Sequence, residues 1–430
     1  MKFSQDQIDA VDGICNELVN SVSNGTYTIT VLTGSAGTGK TTVVKKLINQ
    51  INQQSPYTAI ELCATTHRAA SVLEYMTGQE VHTGHALFKL RPSVNKNGKE
   101  VLTGAGVCKI PHDSVIVIDE SSMIGNQFLK AIVDIVKDKK LKLVFVGDPF
   151  QLPPPTDICS IFDGSLPTFT LTQVHRQLGG NPVLEKANEF REYIEGIRDV
   201  EPALETNINS KGEGIHVLPH SDFVTKFVQK YMDYSTGAEV DAPLCTYTNE
   251  SAINYNNMVR KAAYFLENTI EPFYPGERLI ANTVVMQGEK TILTNNEIVH
   301  VENYTEAESY DIPGYFVTVH GDYNKYTKTD IKTVFSPKTK PAADKVLNEW
   351  KKEAIANRSK QSWQDYYKIK NSLADLRPPF AGTTHKAQGG TFPSVFIDKT
   401  NINKCRDAAT RARLFYVALT RASNNAYINS

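Results

Sequence analysis

The run Gly34-Ser35-Ala36-Gly37-Thr38-Gly39-Lys40-Thr41-Thr42 has the residue types and spacing of a phosphate-binding loop. Its glycines let the backbone turn so that several N–H groups point inward, and a helix N-terminus adds its positive end. Lys40 then reaches the β- and γ-phosphates of a nucleotide, and the Thr41 hydroxyl ligates Mg²⁺. A second piece of the same chemistry is Asp119-Glu120-Ser121-Ser122, which ends an apolar run. Asp119 is placed to hold Mg²⁺ through water, and Glu120 to activate the attacking water. Gln151, in Gly147-Asp148-Pro149-Phe150-Gln151, sits at a strand end, where it could contact the γ-phosphate or that water. Arg176 is a candidate arginine finger; its alternative is a surface salt bridge.

These groups need strands and helices to position them. Tyr27-Thr28-Ile29-Thr30-Val31-Leu32 reads as a buried strand, and Val43-Val44-Lys45-Lys46-Leu47-Ile48 has helical apolar spacing. Strand, glycine loop and helix together are the context that makes the motif a phosphate site. Further strands are expected at 57–64, 114–118, 141–146, 244–249 and 395–398. Ser4 opens a helix with Gln7 three residues on. Gln7 either completes that capping box or reads the adenine edge through its amide, and the sequence does not separate the two. Thr65-Thr66 at a strand end suits a phosphate backbone but is also an ordinary helix cap. Residues 93–102 read as a hairpin turning at Asn97-Gly98. Short β-rich pieces from 271 to about 336 suggest a small β-barrel. Residues 345–376 are helix-forming and carry Trp350, Trp363, Tyr366 and Tyr367.

With 430 residues, two to four domains of about 100–200 residues are expected. Hydrophobic residues make up 40% and charged residues 22%, which is ordinary for a soluble globular chain. No apolar run reaches the roughly 18 residues of a membrane span, and Met1–Gln7 lacks a signal-peptide core, so a cytoplasmic location is expected. The net charge of −1 argues against coating nucleic acid through a basic surface, but leaves room for a local groove. The six cysteines form no C-x-x-C pair, which fits reduced thiols. His82 and His85 have no cysteine or carboxylate spaced to complete a metal site. The simplest arrangement is two α/β lobes with nucleotide in the cleft.

The ordered set of motifs resembles the superfamily 1 DNA helicases, in particular the RecD-like, Dda-type helicases of T4-like phages. The resemblance runs through Gln7, 34–42, 64–70, 83–85, Asp119–Ser122, 147–154, Arg176, Thr248-Asn249, 384–389 and 416–421. It implies an α/β fold of two RecA-like parallel-sheet motor domains, 1–87 with 113–178 and 179–270 with 378–430. A strand-separating pin (88–112) would interrupt the first. A Src-homology-type β-barrel (271–337) and a helical tower (338–377) would be inserted in the second.

By the same resemblance, ATP contacts fall to Gln7, Gly34, Ser35, Ala36, Gly37, Thr38, Gly39, Lys40, Thr41, Thr42 and Gly389. Arg176 and Arg421 would meet the γ-phosphate. The DNA track would use Thr65, Thr66, His67, Thr83, His85, Pro92, Thr248, Asn249, Thr384, His385 and Lys386. The expected activity is ATP- and Mg²⁺-dependent 5′→3′ translocation on single-stranded DNA with duplex unwinding by a monomer. Forked duplex is the second DNA partner, with a single-stranded-DNA-binding protein or other replication proteins as further candidates. The rivals are a translocase that strips proteins with little unwinding and a nucleotide-gated DNA-binding switch.

Overall fold

A computed structural model describes residues 3–94, 100–104, 106–154, 157–173, 180–232, 240–264, 271–288, 290–321, 329–333, 339–357 and 359–430. The first lobe is built on a six-stranded sheet. Its spatial order is Val81–Thr83, Ile60–Ala64, Val115–Asp119, Lys142–Gly147, Thr28–Gly34 and Thr168–Leu171, every neighbour parallel. Parallel strands need crossovers that cover both faces, so the central strands read as unbroken apolar runs. Leu32, Val117 and Val144 point to the face covered by helices Gln5–Ser23 and Lys40–Gln54. Val31, Ile116, Ile118 and Phe145 point to the face covered by Asn126–Asp138.

The second lobe repeats the plan. Its strands are ordered Ala381–Thr383, Leu244–Thr246, Phe392–Ile397, Ala422–Asn429, Gly214–Leu218 and Asn207–Ile208, parallel except at the last pair. Helices Pro182–Glu195 and Ala408–Thr420 cover one face, with the rings of Phe190 and Phe415 5.3 Å apart. Phe223, Phe227, Tyr255 and Phe396 fill the other face edge-to-face.

The chain leaves this lobe after helix Asn249–Ala263 and returns at Leu376–Arg377. Between them lies an antiparallel sheet ordered Thr329–Thr333, Ile312–Gly321, Ile298–Ser309, Arg278–Ala281 and Leu376–Arg377. Among the described residues its pairings are those of an open sheet, beside a separate hairpin of Val285–Gln287 with Lys290–Leu293. Two strands run longer than the apolar pieces within them because Tyr310 and Asp311, at φ 56° and 57°, make a two-residue turn. Such turns normally carry Asn or Gly, so the sequence hides this one. Helices Lys340–Asn357 and Lys360–Ser372 pair through Ala354, Trp363 and Tyr366. The second of them packs against strand Leu90–Val94 of a hairpin completed by Glu100–Gly104. The expected Asn97-Gly98 turn lies outside the described residues. No helix among the described residues is long and apolar enough to cross a membrane.

The inserted sheet is tied to the second lobe by a buried ion pair. Arg260 donates from Nε to Glu277 Oε1 at 2.7 Å and from Nη2 to Oε2 at 3.0 Å, and also to the carbonyls of Glu271 and Pro272. Both side chains are under 10% exposed. Removing one partner strands the other charge, which costs about 3–5 kcal/mol. Glu277→Ala is therefore expected to destabilise the protein by roughly that amount in urea unfolding followed by fluorescence; a change under about 1 kcal/mol would rule out an anchoring role.

Candidate nucleotide and DNA sites

In a parallel sheet the carboxyl ends of all strands fall along one edge, which is where open α/β sheets place their ligands. Here Gly34, Ala64, Asp119, Gly147 and Leu171 end at that edge. The phosphate loop leaves Gly34 and reaches its helix through Gly37 and Gly39, at φ 86° and 82°. That left-handed backbone is open to glycine without strain and turns successive amides inward. Lys40 Nζ donates to the carbonyls of Gly34 at 2.7 Å and Ser35 at 3.1 Å. The ammonium is thus held over the mouth of its own loop. Thr38 Oγ1 closes the turn on Ser35 at 2.9 Å, while Thr41 and Thr42 are half-buried at the helix start.

Gln7 makes one half of the capping box, accepting from Ser4 N–H at 3.2 Å, while its own N–H and the Ser4 hydroxyl both donate to Asp6. Its Nε2 also donates to the Thr38 carbonyl at 3.0 Å, so the first helix is tied to the loop. Beside it, Asp6 Oδ2 accepts from the amides of Thr172 at 2.8 Å and Gln173 at 3.0 Å. This carboxylate holds the segment that leads toward Arg176, which itself lies outside the described residues.

Asp119 and Glu120 sit across from the loop. Burial, and then the Glu120 charge, push the Asp119 carboxyl up to about 6, against the Glu120 amide and the nearby Lys40. Glu120 adopts φ 52°, a left-handed conformation that is strained for a side-chain-bearing residue and turns it out of the strand direction. Thr65 Oγ1 donates to the Glu120 carbonyl at 3.2 Å, so an expected track residue touches the backbone of the expected base. Thr41 and Asp119 supply hydroxyl and carboxylate oxygens, the hard donors that suit Mg²⁺.

The second lobe closes over this edge. Gln151, 4% exposed, accepts from Gln388 Nε2 at 3.3 Å, and Arg413 donates to the carbonyls of Pro149 at 2.6 Å and Gln151 at 2.8 Å. Arg421 is 5% exposed, with its guanidinium bonded to the carbonyls of Val417 and Gly390 and to Thr420 Oγ1. Gly389 lies against the first lobe at Thr66 and Ala69, and a side chain at Gly390 would run into the Arg68 guanidinium. The sequence assigns no role to Arg68, although it lies within the 64–70 motif, or to Arg413, which lies in none.

A cavity of about 580 Å³ opens where both lobes meet the inserted sheet. Of the expected track residues, His67, Asn249 and Lys386 line it. Arg68, which lies within the 64–70 motif but has no role assigned there, joins them with Arg278 and Arg377, which lie in no motif. Arg377 donates to Asn249 Oδ1 at 2.9 Å, and Lys386 donates to the Asn282 carbonyl at 3.1 Å and to its side-chain oxygen. Burial, then repulsion from Arg377, bring Lys386 down to about 8, despite Asp375 nearby.

Other expected track residues stand outside that lining. The hydroxyls of Thr66, Thr83 and Thr248 cap their helices, and Thr384 Oγ1 donates to the Thr246 carbonyl at 3.1 Å. His85 packs edge-on against Phe128, 5.2 Å between centroids. Burial pushes His67, His85 and His385 below the usual histidine value. Pro92 lies in the hairpin, its backbone opposite Leu102.

Residues 12–216 match the family described as an AAA domain, and residues 379–428 match the UvrD-like helicase C-terminal domain. The chain is 23% identical over 444 residues to the ATP-dependent DNA helicase dda of Enterobacteria phage T4, covering 94% of this chain and 95% of that one. The chain belongs to the superfamily 1 DNA helicases. Also similar to this helicase is the ATP-dependent RecD2 DNA helicase of Deinococcus radiodurans. The two are 30% identical over 164 residues, 38% of this chain and 21% of that one. Among solved structures, the Pif1 helicase from Candida albicans covers 100% of the helicase and 95% of its own chain at 15% identity, with a TM-score of 0.47.

The Asp6 contacts in this helicase give a pH test. Burial pushes the carboxyl up, but hydrogen bonds from Ser4 and from the amides of Gln173, Thr172 and Gln7 outweigh it and bring it down to about 2. A depressed carboxylate stabilises the fold above its unfolded value, and that contribution is lost as pH falls through the folded one. Asp6→Asn should therefore lower the thermal midpoint at pH 7, with the gap narrowing below about pH 4. Equal midpoints at pH 7 would show that the carboxylate adds nothing.

Proposed function

We propose that this helicase couples ATP hydrolysis to 5′→3′ movement along single-stranded DNA and separates duplex strands at a fork. The supporting observation is that one pair of lobes bounds both sites. The contacts at the nucleotide edge, Tyr416 with Asp148 and Gln388 with Gln151, and those beside the basic cavity, Arg68 with Phe392 and Gly389 with Thr66 and Ala69, join the same two lobes, so a cleft that closes on ATP is expected to reshape the cavity. A motor requires such differential grip in its two states. The polarity rests on the family resemblance.

In this reading ATP is the substrate, cradled by the amides of 37–42 with Lys40 on its β- and γ-phosphates. Mg²⁺, held by Thr41 and Asp119, would supply charge neutralisation at the phosphate oxygens. Glu120 takes the proton of the water that attacks the γ-phosphorus, and Gln151 orients that water. Arg176 and Arg421 stabilise the charge on the transferring group once the lobes close. Arg421 would first have to exchange its present carbonyl partners for phosphate oxygens. His67, Asn249 and Lys386, joined by Arg68, Arg278 and Arg377, hold the DNA backbone in the cavity. The inserted sheet is read as a Src-homology-type module, the helical pair as a tower, and the hairpin of 90–104 as the pin that it braces.

Lys40→Ala should lower DNA-stimulated turnover by on the order of 10²–10³, because a preorganised charge at the phosphates is lost. Glu120→Gln should keep ATP binding and lower turnover by roughly 10²–10⁴. Native turnover in Glu120→Gln, measured by phosphate release, would remove Glu120 as the base.

Replacing residues 93–102 with a short Gly-Ser turn should leave DNA-stimulated ATP hydrolysis intact and abolish unwinding of a fork with a 5′ tail. Unwinding that survives would move the separating element elsewhere. Unwinding by the native chain of a fork with only a 3′ tail would reverse the polarity. Native ATP hydrolysis without unwinding of either fork would favour a protein-stripping translocase.

A further inference from the structure

Tyr416 lies in helix Ala408–Thr420 of the second lobe, yet its hydroxyl is buried inside the first. It donates to Asp148 Oδ2 at 2.6 Å and accepts from the Ala36 N–H at 3.3 Å. Tyr416 is 1% exposed and Asp148 0%. Burial and the neighbouring carboxylate hold the phenol well above its usual range, so it remains a donor.

The two partners have different attachments. Ala36 belongs to the phosphate loop. Asp148 follows the strand Lys142–Gly147 and shapes the loop it opens, its Oδ1 accepting from Phe150 N–H at 3.0 Å. That loop is gripped by the second lobe through Arg413 and through Gln388, whose Nε2 also reaches the Leu152 carbonyl at 3.2 Å. Gln388 belongs to the segment that carries Lys386 to the DNA cavity. One hydroxyl therefore joins the nucleotide loop, the 148–152 loop and the lobe that holds the track.

We propose that Tyr416 is a positioning residue that passes the occupancy of the phosphate loop to the 148–152 loop, so that hydrolysis is tied to the grip on DNA. The inference rests on the ATP-driven reading above. One N–H cannot fully serve two acceptors, so a phosphate oxygen that engages the Ala36 amide takes it from Tyr416. The phenol is left on Asp148 alone, and the change registers at the inter-lobe seat without any motion of the helix backbone.

Tyr416→Phe keeps the ring and its packing and removes only the hydroxyl. Expected is an affinity for a non-hydrolysable ATP analogue within about twofold of native, with kcat for DNA-stimulated hydrolysis reduced about tenfold or more. More ATP should also be consumed per base pair unwound. A purely structural role would instead lower the thermal midpoint and scale all activities together. The double variant Tyr416→Phe with Asp148→Asn should be no worse than the poorer single variant, because both act through one contact. If the native chain shows no DNA-stimulated hydrolysis, the motor reading itself falls. If the native chain hydrolyses ATP and Tyr416→Phe matches it in kcat and coupling, or if the two effects multiply, the role of Tyr416 is overturned. Should Tyr416→Phe unfold, Asp148→Asn alone must show the same split between binding and kcat.

Discussion

Parallel strands release their loops at a single edge, and both lobes of this protein obey that constraint. The phosphate loop, the Asp119-Glu120 pair and the 148–152 loop are far apart in sequence but leave one sheet side by side. The second lobe brings the 388–390 segment, the start of strand Phe392–Ile397 and the helix Ala408–Thr420 against the first. The described residues of the candidate nucleotide site lie on or beside this meeting of lobes.

The meeting is polar and largely buried. Asp119, Asp148, Gln151, Gln388, Tyr416 and Arg421 are all buried or nearly so there. Buried polar groups must find partners, and these find them across the cleft as much as within a lobe. Tyr416 with Asp148, Arg413 with the Pro149 and Gln151 carbonyls, and Gln388 with Gln151 each join one lobe to the other. Such bonds are directional, so a small displacement at the nucleotide edge breaks some and leaves others. An apolar contact of the same area would slide. This is the physical basis for reading the cleft as a two-state element rather than a static dimer of lobes.

The candidate DNA cavity has a different character. The net charge is −1, yet His67, Arg68, Arg278, Arg377 and Lys386 gather around one cavity. Burial lowers both Lys386, to about 8, and His67, so Lys386 keeps its charge at neutral pH while His67 holds its proton less well. Read as the DNA track, a cavity with so few cations implies a shallow salt dependence of binding.

The sequence determined the chemistry at the strand ends. Strand, glycine loop and helix, and the acidic pair after an apolar strand, are local patterns whose backbone geometry follows from residues close in the chain. The hydroxyl residues expected on the track were also visible, but not their use. Thr66, Thr83, Thr248 and Thr384 spend their hydroxyls on caps and backbone carbonyls, a choice made by neighbours in space. Gln7 shows the same limit, since its capping role was local and its bond to Thr38 joins two elements. Only tertiary structure brought Tyr416 to Asp148 across 268 positions, and Arg68 and Arg278 to the cavity of Lys386. No periodicity or spacing records such meetings, because they depend on how two separately folded sheets are docked. Docking is decided by the summed packing of whole faces, and a motif carries no trace of that.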